Sequence, residues 1–179
     1  SWTDRANNLW LYGGVDNLGN FYGDLWKYAI STNEWTWMHG ANTLNTPAVY
    51  GTLGLTAAAN TPGGKQVYCS WTDLAGNFWI FGGLDFNGYS MNDLWKYDPN
   101  PASPTYNQWT WVKGPSTGND PGNYGAKCVS TNNNTPHSRM ENRARVQDAC
   151  GNLWNFGGVG YGAAYFNLND LWHYNISTD

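Results

Sequence analysis

Residues 77–83 read NFWIFGG, and this stretch decides the fold because it occurs three times. Its other two copies are residues 8–14, NLWLYGG, and residues 152–158, NLWNFGG. Each copy is a short apolar run that ends in two glycines, as expected of a buried strand that ends against crowded backbone. Repetition of this kind indicates that the chain is built from similar units packed side by side.

Two further motifs recur in the same order. Residues 24–28 and 93–97 both read DLWKY, and residues 170–174 read DLWHY. A tryptophan-rich stretch follows twice, as EWTW at 34–37 and QWTW at 108–111. Trp2 and Trp71 lie in a further repeated stretch, SWTD at 1–4 and 70–73, so all 12 tryptophans fall at a few fixed positions of the repeat. A side chain that recurs at one position in each unit is expected to pack between units rather than to form a single ligand site.

Each unit reads as four short strands. Residues 9–12 are apolar at every position, which predicts a strand buried on both faces. Trp35 and Trp37 alternate with a polar threonine, and Trp26 and Tyr28 share one face. Helical periodicity is absent beyond a turn. We therefore predict an all-β fold of four-stranded antiparallel blades that forms an incomplete β-propeller.

The repeat also predicts the domain boundaries. Residues 1–65 and 66–138 form two complete blades, each with a long linker, and residues 139–179 form a partial third blade. A closed propeller needs roughly 4–8 blades, whereas this chain holds about two and a half. We therefore expect further blades, either from the same longer chain or from other copies in a homo-oligomer.

Composition excludes several classes of protein. Aromatic residues make up 17% of the 179 residues, which argues against a disordered segment. Only 12% of residues are charged and the net charge is −4, so a nucleic-acid partner is not expected. No run of apolar residues approaches the roughly 18 that a membrane span requires.

Taken together, these motifs resemble kelch repeats, and the linkers resemble those of bacterial-type, galactose-oxidase-like kelch proteins. The resemblance rests on Gly13 and Gly14, on the DLWKY strand, on the tryptophan strand, and on a linker that runs from Tyr50 to Gly64. It covers nearly the whole chain and implies a kelch-type β-propeller that is secreted or lies at the cell surface. It implies no particular chemistry, because propellers carry enzymes, binding proteins and scaffolds alike.

An oxidase of the galactose-oxidase kind needs two tyrosines and two histidines on one copper ion. The only histidines are His39, His137 and His173. His173 takes the position that Lys27 and Lys96 hold in the other units, so it occupies a variable position of a structural strand. A copper site is therefore not predicted.

A glycosidase needs a pair of carboxylates that act as acid and base or nucleophile. The acidic residues that stand out instead recur in register, which favours hydrogen bonding to turn amides: Asp4, Asp73 and Asp148, and Asp24, Asp93 and Asp170. We predict no catalytic, cofactor-binding or metal-binding residue and a protein that is not an enzyme. The alternative is a fragment of a galactose-oxidase-like copper oxidase or of a propeller glycosidase.

Two loops are rich in oxygen ligands, at residues 16–20 and 85–88. Such loops could hold Ca²⁺, and the alternative is a turn in which the aspartate bonds to backbone amides. No other cofactor is expected.

Binding is the remaining class of function, and on repeat scaffolds it is expected in the variable loops. The loops between the second and third strands carry aromatic residues among glycine and asparagine, a composition that suits sugar stacking or protein contacts. The candidates there are Phe21, Tyr22, Phe86, Tyr89, Tyr161 and Tyr165. A second region, residues 130–145, contains Arg139, Arg143 and Arg145, and it forms either a subunit contact or a solvated charged face. We predict a non-catalytic module for protein or glycan binding, or a structural subunit of an extracellular assembly.

The cysteines and the glycosylation sequons bear on export. Cys128 and Cys150 flank the polar stretch, so they either form a disulfide or remain free thiols like Cys69. Asn133 and Asn175 each begin an Asn-x-Ser/Thr triplet, which makes both candidate glycosylation sites and favours an exported protein.

Overall fold

The structure is a computed structural model that describes residues 1–141 and 144–178. Within these ranges the regular structure consists of strands, and no helix long and apolar enough to cross a membrane occurs. The strands are β1 Trp2–Thr3, β2 Leu9–Val15, β3 Phe21–Ala29, β4 Glu34–His39, β5 Thr56–Ala57, β6 Lys65–Gln66, β7 Cys69–Thr72, β8 Phe78–Asp85, β9 Ser90–Asp98, β10 Gln108–Lys113, β11 Ala144–Gln147, β12 Leu153–Tyr161 and β13 Tyr165–Tyr174.

The strands form three antiparallel sheets, which confirms the predicted all-β fold of incomplete blades. Blade 1 has the order β1-β2-β3-β4, and blade 3 has the order β11-β12-β13. In blade 2, β7, β8, β9 and β10 are joined by two short strands of the preceding linker, since β5 pairs with β10 and β6 pairs with β8. Lys65, the predicted end of the first unit, thus lies in a strand of the second sheet.

Residues paired across the strands of one blade share a face. We call the two sides of each blade its front face and its back face. The front face of blade 1 carries Leu9, Leu11, Trp26, Tyr28, Trp35 and Trp37, and its back face carries Trp2, Trp10, Tyr12 and Leu25. The equivalent front face of blade 2 carries Phe78, Ile80, Trp95, Tyr97 and Trp109, and its back face carries Cys69, Trp71, Trp79, Phe81 and Leu94.

The blades pack back to front, so the same contact occurs twice. The back face of blade 1 and the front face of blade 2 form one buried cluster, in which the rings of Tyr12 and Trp109 are 5.3 Å apart. The back face of blade 2 packs against Leu153 and Tyr174 of blade 3, and the rings of Trp79 and Tyr174 are 5.8 Å apart. Blade 2 is therefore covered on both faces, and large aromatic side chains fill both gaps.

The two outer faces stay open. On the front face of blade 1, Leu9 and Leu11 are 43% and 48% exposed, whereas their equivalents in blade 2, Phe78 and Ile80, are fully buried. Residues 9–12 were predicted to be buried on both faces, and this is wrong for blade 1 because a neighbouring blade covers only one of its faces. The back face of blade 3 is open in the same way, with exposed side chains at Val146, Phe156 and Leu171.

The glycine pairs lie inside the second strand of each blade, and not at its end as predicted. Strand pairing shifts register at Gly13, Gly82 and Gly157, which gives each blade a β-bulge with φ between 58° and 66°. The predicted crowding is confirmed. A Cβ on Gly13 would lie 2.6 Å from the carbonyl oxygen of Lys65, and one on Gly82 would lie 2.7 Å from that of Arg139.

Replacing Gly82 with alanine should therefore be more destabilising than the same change at Gly88, which also has a positive φ but no atom near its Cβ position. Gly88→Ala should cost about 1–2 kcal/mol from backbone strain alone. Gly82→Ala should cost about 1–3 kcal/mol more, because the linker backbone must move. Urea unfolding followed by tryptophan fluorescence measures both values, and equal losses would contradict the close approach of the linker.

Candidate functional site

A buried cluster joins the first linker to blade 2. The ammonium of Lys65 lies 2.7 Å from both carboxylate oxygens of Asp93, and the Tyr50 hydroxyl donates a 2.9 Å bond to Oδ2 of the same residue. The indole of Trp95 donates a further bond of 2.8 Å to Oδ2. The side chains of Lys65 and Asp93 are 1% and 0% exposed. A lysine buried this deeply needs a paired charge and hydrogen bonds, and the cluster provides both.

The same cluster recurs between the second linker and blade 3. The guanidinium of Arg139 donates two parallel bonds of 2.8 Å to the carboxylate of Asp170. Tyr124 and the indole of Trp172 donate to Oδ2 at 2.8 Å and 2.6 Å. Tyr124 precedes Arg139 by the same number of residues as Tyr50 precedes Lys65. We call the pairs Lys65–Asp93 and Arg139–Asp170 the linker ion pairs.

The linker cations also contact the blade that precedes them. The carbonyl of Lys65 packs on Gly13 of blade 1, and the carbonyl of Arg139 packs on Gly82 of blade 2. The carbonyl of Arg139 accepts a 2.9 Å bond from the amide of Gly83, and its amide donates a 2.9 Å bond to the carbonyl of Met91. The backbone of each linker residue, Lys65 or Arg139, therefore packs on the bulge of one blade. Its charged side chain pairs with the aspartate of the next blade.

The electrostatics of these clusters suit structure better than catalysis. Burial alone would raise the pKa of Asp170, but hydrogen bonds from Arg139 and Trp172 outweigh it and lower that pKa to about 2. Burial and the Asp93 carboxylate raise the pKa of the Tyr50 hydroxyl, and burial with the bond to Asp170 raises that of Tyr124. These groups keep one protonation state near neutral pH, which is a poor setting for acid–base chemistry.

A second set of acids holds the turn between the first two strands of each blade. The carboxylates of Asp4, Asp73 and Asp148 each accept a bond of 2.8–2.9 Å from the indole of a tryptophan in the following strand. Several hydrogen bonds lower the pKa of Asp148 to about 2, and the bond from the Trp154 indole has the largest effect. These acids are thus bound within turns, as repetition in register suggested.

The oxygen-rich loops contain turns of the same kind. Asp16 accepts bonds from the amides of Leu18 and Asn20, and Asp85 accepts bonds from the amides of Asn87 and Tyr89. Among residues 1–141 and 144–178, no three acidic, histidine or cysteine side chains are grouped so that they could hold a metal ion.

A cavity of about 360 Å³ lies between the first linker and the β8–β9 loop. Phe86 and Tyr89, two of the predicted binding residues, line it together with Tyr50, Lys65 and Met91. The aromatic rings and the polar loop backbone give this cavity the mixed character that small ligand sites share.

The other predicted binding residues have different surroundings. Phe21 is buried in blade 1, and Tyr22 is half-buried. Tyr161 and Tyr165 contact each other in the β12–β13 hairpin with ring centroids 4.9 Å apart, and Tyr165 is largely exposed.

The arginines of the predicted patch do not share one surface. Arg139 lies in the interior, because Asp170 and the carbonyls of His137 and Gly157 take up its guanidinium. Arg145 is exposed on β11. Arg143 lies outside the described residues. A surface contact through Arg139 is therefore not available in this fold.

The cysteines are all free thiols. Cys128 and Cys150 are both exposed and are not joined by a disulfide, so of the two alternatives the structure has the free thiols. Cys69 is buried on the back face of blade 2, and burial raises its pKa to about 12, so it is inert near neutral pH. Of the candidate glycosylation sites, Asn133 is exposed and Asn175 is half-buried.

The sequence contained a signal for the linker ion pairs that motif reading missed. The motifs showed the repeated aspartates, but they did not connect them with Lys65 or Arg139. The equal spacing from tyrosine to cation in both linkers could have identified the pairs.

Comparison with known proteins adds no family assignment. No sequence profile of a known protein family matches the chain, and no curated protein matches it.

Asp93→Asn should be strongly destabilising, because it leaves the Lys65 ammonium buried without a countercharge. We expect a loss of about 3–5 kcal/mol in the free energy of unfolding. The matched control is Asp24→Asn at the equivalent position of blade 1. Among the described residues, that carboxylate accepts a bond from the Trp26 indole and pairs with no cation, so the loss should be about 1 kcal/mol or less. Urea unfolding at neutral pH measures both, and equal losses would contradict a structural role for the ion pair.

Proposed function

We propose that this chain is a segment of a kelch-type β-propeller that acts as a non-catalytic structural or binding module. Its place would be an assembly outside the cell or at the cell surface. The kelch type is favoured by the glycine bulge, the Asp-Leu-Trp strand and the tryptophan strand, which recur in register. Export is favoured by the two glycosylation sequons, one of which begins at the exposed Asn133.

The open faces of the outer blades carry this proposal. The front face of blade 1 exposes Trp35 and Trp37, and the back face of blade 3 exposes Val146, Phe156 and Leu171. Faces equivalent to these are buried at both internal contacts between blades. Contiguous exposed apolar surface of this kind marks sites of protein association. The partners we propose are further blades, from a longer chain or from other copies of this chain.

A non-catalytic role is favoured by the structural contacts that the repeated aspartates make. Asp73 and Asp148 hold turns, and Asp93 and Asp170 hold linkers. The alternative remains a fragment of a copper oxidase or glycosidase whose reacting groups lie on other blades. Copper bound by this chain in metal analysis would favour that alternative.

A second candidate function is ligand binding at the cavity beside Phe86 and Tyr89. Aromatic rings at the rim of a cavity suit a sugar ring or an aromatic side chain of a partner protein. This role is compatible with assembly, since the cavity lies between a linker and a loop and not on an open blade face.

Association of the chain should depend on the two open faces. The wild type should form particles heavier than the 20.0 kDa monomer, as measured by sedimentation at several concentrations. Leu11→Glu blocks the front face of blade 1, and Phe156→Glu blocks the back face of blade 3, so each variant alone should be monomeric. A mixture of the two variants should give a one-to-one pair, because each keeps the face that the other has lost.

Leu18→Glu is the control, since Leu18 is a highly exposed residue of the β2–β3 loop away from both faces. It should leave association unchanged. A folded wild-type chain that remains monomeric at every concentration would contradict the assembly proposal. Equal loss of association in the Leu18→Glu variant would also contradict it.

A further inference from the structure

Asp24 occupies in blade 1 the position of Asp93 and Asp170. It lies on the front face, next to Trp26, whose indole donates a 2.7 Å bond to Oδ2 of Asp24. The other two aspartates make this bond as well, and each also receives a tyrosine hydroxyl and a cation from the linker before it. Within residues 1–141 and 144–178, no tyrosine hydroxyl donates a hydrogen bond to Asp24 and no cation forms an ion pair with it.

Blade 3 presents the other half of the same arrangement. Gly157 has the bulge conformation of Gly13 and Gly82, but its Cβ position meets only a carbonyl of its own blade, that of Leu168. An open groove of about 360 Å³ lies beside it, lined by Phe156, Gly157, Gly158 and Leu168 among others. In the other two blades, this side of the bulge is where the backbone of the linker cation packs.

We propose that Asp24 is the docking site for the linker of a neighbouring repeat unit of this same type. That linker carries a tyrosine and, at the spacing found from Tyr50 to Lys65, a lysine or arginine. Its backbone packs on the bulge of its own blade, as at Gly157, and its cation pairs with Asp24. The inference rests on the proposed function, because it specifies how the open front face of blade 1 is covered.

Charge and repetition select this occupant over an unrelated partner. The front face of blade 1 is mostly apolar and carries the half-buried carboxylate of Asp24, so a partner that covers it must neutralise Asp24 or suffer a desolvation cost. Both internal contacts of the chain solve this problem with a tyrosine and a cation. Lysine serves in one contact and arginine in the other, so the site requires positive charge and not one residue type.

The test uses the full chain lengthened by one linker. Residues 175–179 read NISTD and match AISTN at residues 29–33, so a second copy of residues 34–66 can follow Asp179 in register. The added segment brings its own copies of Tyr50 and Lys65. Sedimentation equilibrium should show that the lengthened chain associates at least about tenfold more tightly than the natural chain, as expected for a buried charge pair across an interface.

Two variants of the lengthened chain assign that gain to Asp24. Asp24→Asn should remove most of it, and so should Lys65→Gln made only in the added copy, which leaves residues 1–179 untouched. Glu34→Gln at the natural position removes one charge from an exposed residue of blade 1 and should preserve the gain. Circular dichroism checks that each variant is folded.

The outcomes separate this inference from the proposed function. If the natural chain associates but the added linker brings no gain, or a gain that survives both variants, docking at Asp24 is refuted and assembly through the open faces stands. If the natural chain is monomeric and the lengthened chain associates through Asp24, the docking site is supported without association by the open faces alone. If both chains are monomeric, both proposals fail.

Discussion

The structure depends on one requirement, namely that the buried ammonium of Lys65 must lie against a carboxylate. Asp93 supplies that carboxylate from blade 2, while the backbone of Lys65 packs on the bulge at Gly13 in blade 1. A charge with 1% exposure cannot leave this position without a large loss of stability. Lys65 is therefore held by both blades, and it links two sheets that also share an aromatic core.

Arg139 makes the same contacts one unit later, so the same connection can join any number of successive units. The arrangement has a direction. In blade 2, Asp93 pairs with the cation of the preceding linker, and the bulge at Gly82 packs against the linker that follows. A stack built in this way ends in two different surfaces, and contact between two copies must join unlike faces. Such head-to-tail contacts close into a ring if the rotation from one unit to the next closes, and they grow into a filament if it does not.

Much of the architecture could be predicted from the sequence, because a side chain that recurs at one position of every unit indicates a packing contact between units. The recurrence of all 12 tryptophans identified the blades, and alternation in the tryptophan strand identified a pleated face. The exposure of Leu9 and Leu11 could not be predicted, because it depends on whether a neighbouring blade covers them and not on the strand itself. The role of Arg139 was missed for a similar reason, since its partner lies far away in sequence and only the fold brings them together.

The central claim is that the linker cation and the blade aspartate act as one unit, and a double-mutant cycle tests it most directly. Urea unfolding of the wild type, Lys65→Gln, Asp93→Asn and the double variant gives the coupling energy of the pair. The account predicts a coupling of at least about 1.5 kcal/mol, because the double variant removes both charges and leaves neither uncompensated. Effects that add to within about 0.5 kcal/mol would show that the two residues act independently, which would contradict it.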